Sequence, residues 1–201
     1  MAIHRIIEQR AAIHGDLTAI ADDGVSLSYR ELNQRANAVA RHLIANGFRR
    51  GALASVRLPR SPKTAVVLLG ILKAGGTYVL MDDEQSSARD WPAGVSFAQK
   101  ADGDEVRFLA IDVTAALTHS VESSANLPIL ARGSDVACVL PDRDGAPRVQ
   151  VPHEAITALR QHTPASRFAQ WSGEPGALDL WMALMTGATV TLHGQALDTA
   201  A

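Results

Sequence analysis

The chain has 201 residues, of which 47% are hydrophobic and 20% charged, as is ordinary for a water-soluble globular domain. The formal net charge of -2 gives no reason to expect a nucleic acid or an anionic membrane as partner, and no apolar run is long enough to span a bilayer. Cys138 is the single cysteine, which excludes an internal disulfide, and the chain starts without a secretory h-region, so we expect a cytoplasmic protein. The seven histidines lack the spacing of a metal site, so no metal is expected.

The first elements are predicted to be a helix, two short strands and a second helix. Residues 3–11 place their isoleucines and Ala11 on one helical face, and short strands at 18–21 and around Leu27 flank an Asp-Asp-Gly turn. Ser28 is expected to cap the second helix, with Glu31 at the reach-back position of a capping box.

The next stretch predicts a strand, a buried helix and another strand. Leu53–Leu58 is a short apolar run typical of a strand. Residues 61–73 begin with Ser-Pro, the pattern of a capped helix start, and are apolar on nearly all sides, which indicates a buried helix. Gly75 or Gly76 is expected to end this helix before a buried strand at Thr77–Met81.

The later elements are less regular. Residues 82–105 are polar and rich in turn formers, which favours a loop, and residues 123–133 are typical of a linker. Apolar runs predict further strands at 106–111, 136–140 and 188–192, and helices at 115–121, from 152 and at 178–185. Residues 1–194 are expected to form one domain, followed by a loose tail at 195–201.

This alternation of helices and strands predicts a three-layer α/β fold with a mainly parallel sheet and right-handed crossovers. The strands at 53–58, 77–81, 106–111 and 136–140 are expected to be central and mainly parallel, because each is a short and unbroken apolar run.

Several segments resemble a known enzyme family. The stretch LKAGGTYV, within residues 61–85, closely resembles a core motif of the amino-acid adenylation domains of nonribosomal peptide synthetases, and LSYRELNQRANAVARHL resembles the motif that opens them. The resemblance is specific over residues 3–89 and returns at Val151–His153 and Leu180–Leu192. It implies a truncated and degenerate adenylation domain with the fold of the N-terminal subdomain of adenylate-forming enzymes.

The resemblance also implies a phosphate-binding loop between the strand at 136–140 and Val151. Such a loop holds phosphate oxygens with backbone N–H groups and short hydroxyls at close approach. Residues 141–150 contain no serine or threonine, and their carboxylates, Asp142 and Asp144, repel a triphosphate. Three residues still match the family pattern: Gly145, Pro147 and Arg148. Arg148 can still hold an anion, but we favour a solvated turn with balanced charges.

The amino-acid pocket of the resembled family is altered as well. Alignment on Gly187 places Glu174 where the family has the aspartate that holds the substrate ammonium, and Leu178 at a neighbouring pocket position. Pro175 and Gly176 disfavour a regular helix start there. Glu174 can bind an amine, but a surface turn is the preferred interpretation.

No catalytic residue and no cofactor are therefore assigned. The ribose-binding aspartate, the hinge and the C-terminal lysine that the resemblance implies have no counterpart in the chain. The preferred hypothesis is a catalytically inactive adenylation-like domain that acts as an interaction or scaffolding element of a peptide synthetase system. Two alternatives stay open: half of a split adenylating enzyme completed in trans, and a recruited small-molecule binder.

An interaction surface is predicted near the C-terminal end. Four apolar residues there would be covered by later elements in a longer adenylation domain: Trp171, Leu178, Trp181 and Met185. If exposed, they would form a patch of the kind that marks binding surfaces, and tryptophan is frequent at interface hot spots. The expected partner is a condensation or carrier domain or a second copy, and replacing Trp181 is expected to weaken association without unfolding. The alternative is that these residues repack onto a closed core.

Overall fold

The computed structural model describes residues 1–81, 94–100, 106–112, 125–141, 147–160, 170–171 and 177–192. The helices are α1 Ile3–Ile13, α2 Tyr29–Ala45, α3 Pro62–Lys73, α4 His153–Leu159 and α5 Leu178–Thr186. The strands are β1 Thr18–Asp22, β2 Val25–Ser28, β3 Leu53–Arg57, β4 Thr77–Leu80, β5 Gly94–Lys100, β6 Val106–Ile111, β7 Val136–Pro141, β8 Pro147–Pro152 and β9 Val190–Thr191. No helix in these ranges is long and apolar enough to cross a membrane.

The strands form two sheets. The larger has six strands in the order β6-β5-β3-β4-β7-β8, and the smaller has three in the order β2-β1-β9. In the larger sheet β3, β4 and β7 run parallel, with Ala54 opposite Tyr78 and Tyr78 opposite Cys138. The flanking pairs are antiparallel, so among the described strands the sheet is mixed around a parallel centre, and not mainly parallel as the sequence predicted.

The helices form a layer that contacts both sheets. Helix α3 packs against β4 of the larger sheet and β1 of the smaller one, and α2 packs on α3 and on β1 and β2. One apolar cluster runs through the helical layer and includes buried residues of both sheets, such as Ile20 and Tyr78. The layered α/β architecture expected from the sequence is therefore confirmed.

One predicted strand occupies a different place from the one expected. Residues 106–111 were expected to be central and parallel, but β6 is an edge strand that pairs antiparallel with β5. Strand β5, at 94–100, lies inside the segment predicted as a loop. Turn-forming residues flank this short strand, so its surroundings in the sequence resemble a loop. The strand is stabilised by pairing with β3 and β6, which local composition does not reveal. The predicted helix at 115–121 and the tail at 195–201 lie outside the described residues.

The predicted start of α2 is confirmed in detail. The Ser28 hydroxyl accepts a hydrogen bond from the Glu31 N–H at 3.2 Å, and the Glu31 carboxylate accepts one from the Ser28 N–H at 2.8 Å. This reciprocal pair satisfies two backbone donors that the first helical turn leaves without partners. Before it, Asp23 and Gly24 adopt φ angles of 31° and 82°, as a tight hairpin between β1 and β2 requires.

Both ends of α3 also follow from its sequence. The Ser61 hydroxyl accepts a hydrogen bond from the Thr64 N–H at 3.2 Å, and Pro62 takes the first helical position. Gly75 has a φ of 78°, the left-handed conformation that ends a helix and that glycine adopts at little cost. The chain then enters β4 at Thr77.

Two further glycines are required by space and not by backbone angle, because neighbouring residues pack closely against them. A Cβ atom at Gly70 would lie 2.5 Å from Cγ1 of Val39, so this glycine lets α3 approach α2 closely. A Cβ atom at Gly76 would overlap the ring of Phe48. The absence of side chains at these positions therefore sets the spacing between α2, α3 and the start of β4.

We expect the substitution Gly76→Ala to lower the free energy of unfolding by about 1–3 kcal/mol, because the added methyl group overpacks the site. Urea denaturation measures the loss. In a Phe48→Leu background the same substitution should cost less, since the smaller side chain leaves room for the methyl group. Equal losses in both backgrounds would show that contact with Phe48 is not the cause.

Candidate functional site

The expected phosphate loop falls at the carboxyl edge of the parallel strands, where open α/β sheets bind ligands. Strands β7 and β8 pair antiparallel, and Pro141 lies opposite Pro147 in the register. Residues 142–146, which connect the two strands and include Gly145, lie outside the described residues. Pro147 and Arg148 belong to β8, of which the structure describes only the backbone at these two positions.

The start of α3 lies at the same edge, but its hydroxyl groups already have partners. The Thr64 hydroxyl donates to the carbonyl of Pro59 at 2.5 Å, and the Ser61 and Thr64 hydroxyl oxygens lie 3.0 Å apart. Thr64 is buried. These short side chains fix the turn between β3 and α3, so they are not available to surround a phosphate group.

The segment aligned with the amino-acid pocket is described only from its last residues. Glu174 lies outside the described residues, and Leu178 is the half-buried first residue of α5. Ala177, just before it, has a φ of 55°, a conformation that costs a residue other than glycine about 1 kcal/mol or more. Asp179 is buried and accepts a hydrogen bond from the Leu180 N–H at 2.8 Å. The helix therefore begins through an unusual backbone turn.

The residues predicted as an interaction surface are inside the protein, which corrects that expectation. Trp181 and Met185 have an exposed fraction of 0%, and Trp171 has 2%. Helix α5 packs against α1 and α4, so three of the four side chains belong to the core. Only Leu178 is partly exposed. The other possibility, repacking onto a closed core, is the one that the structure shows for these residues.

Polar contacts anchor α5 to the rest of the core. The indole N–H of Trp181 donates to the hydroxyl of Tyr78 in β4 at 2.6 Å. The Tyr29 hydroxyl lies 2.8 Å from the carbonyl oxygen of Ala188 and 3.1 Å from that of Leu184. These hydrogen bonds join residues far apart in the chain, which the sequence did not predict.

Cys138 is not a reactive thiol. It is fully buried in β7 and shares a hydrogen bond with the Tyr78 hydroxyl. Burial raises the pKa of Cys138 to about 11, and burial also raises the pKa of Tyr78 well above its ordinary value. Both groups are therefore neutral at physiological pH, and the thiolate that a nucleophile needs is not formed.

A buried ion pair is the main polar feature that the sequence analysis missed. Lys73 is the last residue of α3. Its exposed fraction is 1%, and its ammonium lies 2.5 Å from the carboxylate of Glu8 in α1, which is 6% exposed. Burial lowers the pKa of Lys73, and the charge of Glu8 opposes this shift. The available signal was a lysine at the end of an otherwise apolar helix.

His153, from the matched Val-Pro-His segment, lies in a second buried polar cluster. Its ring is 5.9 Å from that of His4, centroid to centroid, and both side chains are buried. The backbone N–H of Ile3 donates to Nδ1 of His153 at 3.3 Å, which places the proton of the neutral imidazole on Nε2. Burial lowers the pKa of His4 to about 3 and that of His153 to about 4.

With its proton on Nε2 and Nδ1 accepting from Ile3, His153 has no free ring lone pair to offer a metal ion in this arrangement. Within the described ranges no group of three histidine, cysteine or acidic side chains could hold a metal ion.

Comparison with known proteins identifies families and proteins of similar sequence. The model of a family described as "AMP-binding enzyme" matches residues 7–90. Surfactin synthase subunit 2 of Bacillus subtilis (strain 168) is 31% identical over 94% of this chain, and phosphinothricin tripeptide synthetase PhsC of Streptomyces viridochromogenes is 30% identical over 97%. The chain spans only 6% and 20% of these two relatives.

Solved structures show the same fold. The N-terminal subdomain of Klebsiella oxytoca NpsA, in complex with 3-hydroxyanthranilyl-AMSN, superposes with a TM-score of 0.73 at 19% identity, over 98% of this chain and 54% of that one. The AMPPNP-bound form of the nonribosomal peptide synthetase FmoA3 superposes with a TM-score of 0.74 at 21% identity, over 99% of this chain and 23% of that one.

The histidine pair predicts a pH-dependent stability. Both histidines have folded-state pKa values below the unfolded value of about 6.5, so the unfolded state binds protons first as the pH falls. Each histidine should remove about 1.4 kcal/mol of unfolding free energy per pH unit between pH 6.5 and its folded-state pKa. Urea denaturation at pH 7.5, 6.5 and 5.5 measures this loss.

The substitution His153→Asn keeps an acceptor near the Ile3 N–H and should reduce the slope. His14 is exposed, so His14→Asn is the matched control for the chemical change from histidine to asparagine. An unaltered slope in His153→Asn would contradict the assignment.

Removing the partner of the buried indole should destabilise the fold. We expect Tyr78→Phe to lower the unfolding free energy by about 1–3 kcal/mol, because the Trp181 N–H then stays buried without an acceptor. In a Trp181→Phe background, which lacks that N–H, the same substitution should cost less. Equal costs in the two backgrounds, measured by urea denaturation, would show that the hydrogen bond does not couple the two residues.

Proposed function

Because this chain belongs to the family of AMP-binding enzymes and corresponds to the N-terminal portion of a nonribosomal peptide synthetase adenylation domain, we propose that it is a folded synthetase domain that does not itself activate an amino acid. The proposal rests on one contrast: the β7–β8 pair that frames the expected phosphate loop is present, while the connecting residues lack the groups that bind phosphate.

The loop chemistry supports this proposal. A triphosphate is held by converging backbone N–H groups and by short hydroxyls, which need glycine, serine and threonine. Residues 142–146 read Asp-Arg-Asp-Gly-Ala, with a single glycine, no hydroxyl group and two carboxylates. Without a bridging metal these carboxylates repel the phosphate oxygens. Arg143 and Arg148 supply positive charge but no nest of donors.

The packing of the fold supports the same proposal. The apolar core and the buried pairs Lys73–Glu8 and Trp181–Tyr78 are complete within the described residues, so folding does not depend on a working phosphate loop. A domain of this kind contributes to a synthetase by binding other domains through its surface. The proposed partner is a condensation or carrier domain of the synthetase or a second copy, and the contact does not include the buried Trp171, Trp181 and Met185.

The decisive experiment measures nucleotide chemistry. We expect no saturable binding of Mg-ATP at concentrations below about 1 mM, weaker than about 4 kcal/mol of binding free energy, and no amino-acid-dependent exchange of pyrophosphate into ATP. The N-terminal subdomain of NpsA, assayed with 3-hydroxyanthranilyl-AMSN, is the positive control for ligand binding by a similar fold.

Two outcomes would overturn this proposal. Exchange above background by the chain alone would show an active enzyme. Exchange that appears only when the remaining part of an adenylation domain is supplied as a second polypeptide would establish the split-enzyme alternative. A variant with a serine-, threonine- and glycine-rich segment in place of residues 142–146 tests the cause, since it should bind Mg-ATP more tightly than the parent chain. The proposed contact with other synthetase domains is tested by cross-linking to purified condensation and carrier domains.

A further inference from the structure

Residues 125–130, which we call the strap, cross the helical layer before the chain enters β7. They contain no helix or strand, and Ala125 and Asn126 are exposed. Ile129 is 62% exposed, and Leu127 is only partly buried against the core. Apolar packing therefore contributes little to holding the outer part of the strap in place.

Polar contacts hold the strap instead, and three of them converge on one oxygen atom. The side-chain oxygen Oδ1 of Asn126 accepts hydrogen bonds from the amides of Asn33 at 2.9 Å and Asn37 at 3.1 Å, and from the ammonium of Lys73 at 3.4 Å. These donors come from α2 and α3, and their residues are 9%, 0% and 1% exposed. An exposed segment thus inserts one carbonyl oxygen into a buried set of donors.

Among the described residues, cations outnumber carboxylates around this oxygen. Lys73, Arg5 and Arg41 contribute three cations, since both arginines lie close enough to lower the pKa of Lys73. Glu8, paired with Lys73 and Arg5, is the carboxylate among them. Arg41 also donates to the carbonyl of Ala125 at 2.5 Å. A negatively charged oxygen is therefore better matched to this position than the neutral amide oxygen of asparagine.

If the strap were withdrawn, the amides of Asn33 and Asn37 and the ammonium of Lys73 would lose their hydrogen bonds to Asn126, and Lys73 would keep its ion pair with Glu8. The helices, which pack through the main core, would keep these donors in place.

We propose that the donors of Asn33, Asn37 and Lys73 form a carboxylate-binding pocket that the chain closes with the side chain of Asn126. The strap is then a lid held by an internal ligand. The pocket lies near the amino ends of β4 and β7, because Lys73 precedes β4 and the strap precedes β7. It is thus at the opposite end of these strands from the β7–β8 connection and independent of the proposed function.

The first test introduces a carboxylate at the position of the internal ligand. We expect Asn126→Asp to raise the melting temperature at pH 7 by about 2–4 °C and Asn126→Ala to lower it by at least as much. The gain should disappear as the pH falls below about 4, where the new carboxyl group is protonated. Ala125→Asp places the same charge on the neighbouring exposed residue and should give no gain.

The second test asks whether a free carboxylate can replace the side chain. Asn126→Gly leaves the donors without their oxygen, and we expect sodium formate to restore its melting temperature in a saturable manner, with no such effect of sodium chloride. Ala125→Gly loosens the same strap but keeps Asn126, so formate should not change it.

Loss of stability in Asn126→Asp equal to that in Asn126→Ala would overturn the proposal, as would an equal effect of formate on both glycine variants. If Asn126→Gly does not fold, the comparison of the aspartate and alanine variants decides alone.

Discussion

The burial of α3 on nearly every side is the constraint on which the rest of this structure depends. Eleven of its residues are buried, because the helix contacts strands of both sheets and lies against α2. A helix in this position needs apolar side chains all round and close neighbours, which Gly70 permits at the contact with Val39. The second glycine of its terminal pair, Gly76, brings the chain under Phe48 and into β4. The motif LKAGGTYV thus reflects the close packing at the end of α3 and the start of β4.

Such a dense helical layer leaves few places for polar groups, and two buried pairs join distant elements. The ammonium of Lys73 meets Glu8 from α1, and the indole of Trp181 meets Tyr78 from β4. Isolated buried charges and donors cost several kcal/mol, so these contacts favour the pairing of α3 with α1 and of α5 with β4.

The fold and its chemistry are separable in this chain. The residues that resemble adenylation domains most closely, 3–89, lie largely in the core that positions the strands. The differences concentrate in the connection at 142–146 and around Glu174, where a ligand would be held. Core residues are constrained by packing, whereas residues of loops are constrained by the ligand that they bind. Similarity in the core therefore establishes the family and the fold, and the activity has to be argued from the loops.

Local signals determined much of this protein from the sequence alone. The capping box of Ser28 and Glu31, both ends of α3, and the apolar runs of β3, β4 and β7 depend on residues within a few positions of one another. The composition of residues 142–146 likewise shows that this loop has one glycine and no hydroxyl side chain. The tertiary structure alone decided that β6 is an antiparallel edge strand, that β9 pairs with β1, and that Trp181 is core and not interface. The physical reason is that strand partners and buried contacts join residues far apart in the chain, and an apolar residue has the same local pattern whether it faces the core or a partner.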